Sequence, residues 1–229
     1  MDIKSGYLPQ AKLYGHKTVS WFEANQDRGL PDLTGLIAVY SAETGLPIGI
    51  LDASYITGIR TGAAGAIGAR YLARADSQNL AGVALASSGD LETALSDADI
   101  VVTVTPSKTP LVRKDWVRPG THLSCMGADM AGKQEVESAL LAGARIFVDD
   151  LEHCISAGEI EIPLKQGVIS QGDIVGEIGD LILGKVPGRQ REDEITVYDS
   201  TGMALLDIAA AKAALALAEE KSLGTVVTL

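Results

Sequence analysis

An α/β fold built on a parallel sheet is the class this sequence predicts, and three observations carry it. From residue 90 onward, short apolar runs alternate with helix-like stretches, the order in which a βα-repeated sheet is written. Before residue 55 the runs are strand-like and divided by turns, with "AETG" (42–45) placed as a hairpin turn. The 229 residues, 46% hydrophobic and 21% charged, suffice to bury a core as one large domain or two smaller ones.

Taken in order, "HKTVSWF", "GLIAVYSAETG" and "LPIGILDAS" read as strands and turns. "YITGIRTGAAGAIGARYLAR" then changes period. Ile56, Ile59, Ala63, Ala66, Ile67 and 69–72 predict a helix with one apolar side. Gly62, Gly65 and Gly68 each cost helix propensity of up to ~1 kcal/mol, which a close contact with another element would explain. Next come a helix with an acidic start, "DLETALSDA", and buried strands "DIVVTVTPS" and "THLSCMG". "KQEVESALLAGA" reads as a helix closed by Gly143, "RIFVDD" as a strand, and "LEHCISAGEI" and "DIVGEIGDLILGK" as helical. "EITVYDSTG" is a strand running into the long helix "MALLDIAAAKAALALAEEK".

Charge and cysteine content exclude several functions. Nineteen basic against 30 acidic residues leave a net charge of −11, with no basic excess to neutralise a nucleic-acid backbone. Cys125 and Cys154 form no C-x-x-C pair, so neither a disulfide framework nor a zinc site is expected. His16, His122 and His153 share no spacing, and no metal is expected. The start has no apolar leader, and the most apolar helix carries Asp207 and Lys212, so the reading is cytoplasmic with no membrane partner.

The stretch "GADMAGKQ" (127–134) nearly matches the phosphate-binding pattern G-x-x-x-x-G-K-[ST]. Gln134 stands where a hydroxyl must hold Mg²⁺, and Asp129 would repel a triphosphate, so that reading fails. What remains is an acid at a strand end, where ligands bind in open parallel sheets. The plain alternative is that Asp129 caps the following helix. "TVTPS" (103–107) and "YDSTG" (198–202) are two further strand ends of small polar residues, suited either to a ligand or to ordinary turns. Lys17 lies in an apolar alternation and Arg60 on an apolar helix. Together they suit a carboxylate, and singly either would pass as a snorkelling surface residue.

"GHKTVSWF", "ETGLPIGILDASYITGIRTGAA", "VVTVTPSKTPLV", "WVRPGTHLSCMGADMAGKQEV" and "DEITVYDSTGMALLDIAAAK" resemble, in order and along nearly the whole chain, the ornithine cyclodeaminase / μ-crystallin family. That family includes ornithine cyclodeaminases, archaeal-type alanine dehydrogenases and ketimine reductases. The resemblance implies a Rossmann-like NAD(P) domain over 76–202, inserted into a substrate and dimerisation domain of 1–75 and 203–229. It implies a homodimer acting on a small amino or imino acid with NAD or NADP. Asp129 and Lys17 become the implied catalytic residues, Asp129 as acid/base, while Lys17 and Arg60 hold the substrate carboxylate. Thr105, Pro106 and Ser107, with Gly127 and with Ser200, Thr201 and Gly202, lie along the nicotinamide side of the cofactor by the same implication. The reaction implied is deaminating cyclisation of ornithine to proline, or a related oxidoreduction such as that of alanine dehydrogenase or a ketimine reductase. "VYDSTGMALLDIAAAK" leans toward the alanine dehydrogenase side.

Two departures from the family pattern stand out. No G-x-G-x-x-G occurs in the sequence, and residues 76–99 are too few for a βαβ unit of ~30 residues. The chain opens at "IKSGYLPQ", with no counterpart of the family's N-terminal helical region. A weakened grip on the cofactor pyrophosphate is therefore expected. Besides an active enzyme, the sequence leaves open a non-catalytic family remnant and a dimeric binder of a keto acid or small imine.

Overall fold

A computed structural model describes residues 1–77 and 87–227. The chain runs β1 (Asp2–Leu8), β2 (Leu13–Trp21), β3 (Leu33–Ser41), β4 (Pro47–Asp52) and α1 (Ala53–Leu72). It continues with α2 (Leu91–Ser96), β5 (Ile100–Thr103), β6 (His122–Cys125), α3 (Ser138–Leu141), β7 (Arg145–Val148), α4 (Leu151–Ala157) and α5 (Glu161–Lys165). The last elements are β8 (Ile174–Glu177), α6 (Ile178–Ile182), β9 (Thr196–Asp199) and α7 (Ala204–Glu220). Two compact units result: Met1–Gly62 with Met203–Leu229, and Ala63–Gly202. The shortened βαβ unit expected over 76–99 falls in part on 78–86, outside the described residues.

In the first unit, β1 to β4 form an antiparallel meander with α7 on one face. Cross-strand register builds a row Gly6–Gly15–Val39–Gly49 on that face. Three glycines in one row let the helix lie close. A Cβ at Gly6 would meet Leu205 at 3.1 Å, and one at Gly49 would meet Leu215 at 2.5 Å. Ile37, Val39, Ala53, Ile208 and Ala211 form the core there. The neighbouring row on the same face is Lys4–Lys17–Ile37–Leu51, so register alone carries Lys17 into the interior. The opposite face presents Leu36, Ile50 and the stacked rings of Tyr14 and Tyr40.

The second unit is a Rossmann-like, wholly parallel sheet of order β5-β6-β9-β7-β8. Leu123, Cys125, Val197, Ile146 and Val148 are its central core residues, fully buried on the strands, with Leu140, Leu141 and Ile160 packed around them. Near-continuous apolar strands are what a sheet covered on both faces requires. Among the described residues β5 has a neighbour on one side only, and Val102 and Val104 are exposed there.

Three sequence expectations are corrected. First, the helix expected from Lys133 begins only at Ser138, because residues 134–137 are extended. Their backbone groups bond elsewhere: Gln134 N–H to Ser107 O, and Glu137 N–H to Val112 O. Second, "IVGE" in the expected helix 173–185 is strand β8, paired in parallel with β7, and the α-helix there is confined to Ile178–Ile182. Third, the buried side of α1 in this unit is Ala64, Gly65, Gly68 and Leu72, whereas Ile59 and Ile67 point outward. Small residues let this face close on the sheet: a Cβ at Gly68 would lie 2.5 Å from the Tyr198 ring and 2.8 Å from Ser124 Oγ. The close contact expected for the helix glycines thus holds at Gly68, while Gly62 has open space.

Candidate functional site

Because β5, β6 and β9 are adjacent and parallel, their carboxyl ends bring the three polar turns side by side. Thr105–Ser107 follows β5, Gly127–Asp129 follows β6, and Ser200–Gly202 follows β9. The alternative that Asp129 caps a helix does not survive, since no helix follows within the turn. Its carboxylate instead accepts from Lys133 Nζ at 2.5 Å, and that ammonium also donates to Gly127 O at 3.3 Å. Asp129 keeps 42% of its side chain exposed, the reach a proton-transferring acid needs. Lys133, tied to that acid, is not presented as a phosphate-loop lysine would be.

Buried acids hold these turns from behind. Glu135 takes Thr105 N–H on Oε1 at 2.6 Å and Gly127 N–H on Oε2 at 3.0 Å. The N–H groups of Glu135 and Val136 donate in turn to the Glu159 carboxylate at 2.9 and 2.6 Å. Asp199 accepts from Ile160 N–H at 3.1 Å. Asp149 accepts from Ser200 Oγ at 2.9 Å, Thr201 Oγ1 at 3.2 Å and Gly202 N–H at 2.8 Å. His153 Nδ1 lies 2.8 Å from Thr201 Oγ1 and steadies the same turn. No ion pair among the described residues involves Glu135, Asp149, Glu159 or Asp199. Burial therefore pushes Glu159 up to about 8 and Asp199 up to about 7, although backbone N–H donors work against it.

Lys17 and Arg60 meet in the first unit on one acid that sequence reasoning had read only as a charge on an apolar helix. Asp207, in the first turn of α7, lies 2.9 Å from Lys17 Nζ and 2.9 Å from Arg60 Nε. Lys17 and Asp207 are each 1% exposed, so this is a buried ion cluster of two cations and one anion. Desolvation lowers the Lys17 pKa, Arg60 lowers it further, and Asp207 opposes both. Asp207 Oδ2 and Arg60 Nε are buried without a hydrogen-bond partner. The cluster is thus left with one surplus positive charge, the feature of it that suits one carboxylate.

Among the described residues no three His, Cys, Asp or Glu side chains are grouped to hold a metal. His122 is buried between Thr196 Oγ1 and Ser124 Oγ, both at 2.9 Å, and burial lowers its pKa to about 3. It is a satisfied core histidine. Cys125 and Cys154 are free and buried, and burial raises both thiols, which leaves them inert. No helix among the described residues is long and apolar enough to cross a membrane.

A parallel Rossmann-like sheet with small polar turns at the carboxyl ends of three adjacent strands has the form of a dinucleotide-dependent oxidoreductase domain. The chain belongs to the ornithine cyclodeaminase/mu-crystallin family, whose model matches residues 4–88 and 80–222. It is 35% identical over 260 residues to the alanine dehydrogenase of Archaeoglobus fulgidus, covering 94% of this chain and 81% of that one. An archaeal alanine dehydrogenase dimer with bound NAD has a similar structure, with TM-score 0.87 and 35% identity over 95% of this chain and 81% of that one. The Δ1-pyrroline-2-carboxylate reductase of Thermococcus litoralis, in complex with NADH and L-proline, has TM-score 0.90 and 28% identity over 96% of this chain and 83% of that one. The 260-position match to the Archaeoglobus enzyme is longer than this 229-residue chain, so that relative carries residues this chain lacks.

Two predictions follow from the buried charges. Asp207→Asn leaves Lys17 and Arg60 without their counter-ion and should cost ~3–5 kcal/mol, read as a lowered denaturant midpoint. An unchanged midpoint would show that the cluster is not paired in solution. Glu159 and Asp199 keep their protons in the fold at pH values where the unfolded chain has lost them. The native state then binds more protons between about pH 4 and about pH 8, so stability falls as pH rises through that window. Thermal midpoints across the window should show the decline, and Glu159→Gln should flatten part of it.

Proposed function

We propose that this protein is an NAD-dependent oxidoreductase interconverting a small α-amino acid and its imine. The observation that carries the reading is the delivery of Thr105–Ser107, Gly127–Asp129 and Ser200–Gly202 to one end of the parallel sheet. It is supported by membership of a family whose similar members include an alanine dehydrogenase and a pyrroline-2-carboxylate reductase. Those relatives favour alanine dehydrogenase or cyclic imine reduction over ornithine cyclisation.

The residues present fit the nicotinamide side of the cofactor. Backbone at Gly127, Ser200, Thr201 and Gly202 would line it, with Thr105, Pro106 and Ser107. NAD, when bound, accepts a hydride from the substrate α-carbon or, reduced, returns one. Lys17 and Arg60, while still paired with Asp207, hold the substrate carboxylate and so fix the α-carbon. Asp129 takes the proton released from the substrate nitrogen as the C–N bond becomes an imine, and gives it back in the reverse direction. Lys133 Nζ, 2.5 Å from that carboxylate, donates to it and orients it. NADP is the alternative cofactor. A second reading, a binder of small carboxylates without turnover, is favoured by the missing G-x-G-x-x-G and by the residues present in the Archaeoglobus relative and absent here.

The open face of the β1–β4 sheet, apolar at Leu36, Ile50 and Tyr14, is the surface for a second copy of the chain. It holds a concavity of about 460 Å³ lined by His16, Thr18, Ser20, Leu36 and Tyr40. A monomer would leave these apolar side chains in water.

Fluorescence titration with NADH tests the function. Saturable binding with a Kd of up to ~1 mM, about −4 kcal/mol, is expected for a nicotinamide site lacking its phosphate turn. Turnover of L-alanine or Δ1-pyrroline-2-carboxylate should fall by about 10²–10⁴ in Asp129→Asn with NADH binding retained. Binding of small carboxylates with no response to NADH would move the protein to the second reading. For the assembly, sedimentation should give twice the 23.9 kDa chain mass, and Ile50→Lys should release monomer. A wild-type monomer at micromolar concentration would refute the dimer.

A further inference from the structure

We infer that Glu135 is a positioning residue for the nicotinamide side of the cofactor, fixing the ends of β5 and β6 relative to each other through one buried carboxylate. The inference rests on the reading under Proposed function and deepens it by naming what sets the shape of that surface.

The register of the sheet shows what the carboxylate does. The β5–β6 ladder ends at the pair Thr103–Cys125, with Met126 N–H donating to Thr103 O at 2.8 Å. Two residues further on, Thr105 and Gly127 stand at the same level, beyond the last paired residues. There Glu135 inserts between the strands, taking Thr105 N–H at 2.6 Å and Gly127 N–H at 3.0 Å on its two oxygens. One carboxylate, with two acceptor oxygens, substitutes for the next rung of the ladder. The two ends neither splay nor pair directly, and their separation is set by the width of a carboxylate.

The clamp is itself held. Glu135 is fully buried, and its own N–H is bound by Glu159 at 2.9 Å. Its carbonyl accepts from Leu111 and Val112 N–H at 2.7 and 2.9 Å, which is why this segment is extended where helix was expected. Steric fit points the same way. A Cβ at position 127 would stand 2.5 Å from Glu135 Oε2 and 2.4 Å from Thr105 O, so the clamp closes only on glycine. Asp149 performs the matching task at the third turn, on Ser200, Thr201 and Gly202. The groups that Glu135 fixes are the backbone of two ligand-end turns, which sets it apart from the apolar core beneath them.

The test compares wild type with Glu135→Gln and Glu135→Asp in the full chain. Amide exchange is followed at Thr105 and Gly127, the NADH dissociation constant by fluorescence, and KM for Δ1-pyrroline-2-carboxylate by turnover. In E135Q an NH₂ faces a backbone N–H that needs an acceptor, so one tether is lost. Exchange at one or both amides should quicken, and the NADH dissociation constant should rise about tenfold or more. KM for the imino acid should stay within about twofold, as fits groups that do not touch it. E135D keeps the two acceptor oxygens but is one methylene shorter, and should recover part of the NADH affinity. It carries the same comparison if E135Q does not fold. Equal weakening toward NADH and the imino acid, or unchanged NADH affinity despite faster exchange, makes Glu135 a stabiliser of the fold alone and overturns the inference. Failure of wild type to bind NADH removes the proposed function and this inference together, a result distinct from the other two.

Discussion

The capture of backbone N–H groups by buried carboxylates is the interaction on which the ligand end of the parallel sheet depends. Glu135 holds Thr105 and Gly127, Glu159 holds the Glu135 segment, and Asp149 holds Gly202 N–H together with the hydroxyls of Ser200 and Thr201. Asp199 belongs to the same series, holding the start of the chain that leads into α5. Acids buried without cations are costly, because desolvation penalises the charged form strongly. Here several N–H dipoles share each charge, and where they do not suffice the acid keeps its proton. Glu159 and Asp199, both pushed up in pKa, are the two that lean that way. The turns are therefore shaped by side chains several residues or several elements away.

The antiparallel unit solves the opposite problem. A lysine at position 17 falls, by strand alternation, on the face that α7 covers. Solvent is not within reach, and the remedy is an acid in the first turn of the covering helix. Asp207 also meets Arg60, so one carboxylate serves two cations and leaves both the acid and the guanidinium with unpartnered atoms. Such a cluster keeps a net positive charge in the interior, as a neutral pair does not. The glycine row beside it matters equally, since it is what permits the helix to approach closely enough for Asp207 to reach Lys17.

Much of this architecture was legible in the sequence. The four strand ends that carry polar turns or acids, "TVTPS", "CMGAD", "FVDD" and "VYDSTG", all end parallel strands, and the long terminal helix has nearly its expected bounds. What failed did so where tertiary hydrogen bonds outbid local propensity. Residues 133–137 have a helical composition, but Ser107, Val112 and Glu159 claim their backbone. "IVGE" was too short to separate from the helix behind it, and only pairing with β7 makes it a strand. On α1 the apolar residues were assigned to the core by type, whereas close packing selected Gly68 and Ala64 and turned Ile59 and Ile67 outward. Lys17 and Arg60 stood out because a charge in an apolar setting is visible in one dimension, and Asp129 because it sits in a near-match to a phosphate loop at a strand end. Asp207 carries the same signal and Asp149 closes an apolar strand, while Glu135 in "GKQEVES" carries none; the partners of all three lie elsewhere in the chain and only the fold supplies them.

Because Glu135 grips main-chain N–H groups, it is indifferent to most side chains at the positions it holds. Thr105 can be exchanged for any residue other than proline without removing the hydrogen that Glu135 binds. The shape of the turn and the chemistry it displays are thus inherited separately. Changes at position 105 or 106 leave that scaffold in place, whereas Gly127 has no room for a side chain, and Ser200 and Thr201 are held by Asp149 through their own hydroxyls. The end of β5 thus keeps its shape through side-chain changes that would loosen the turn after β9.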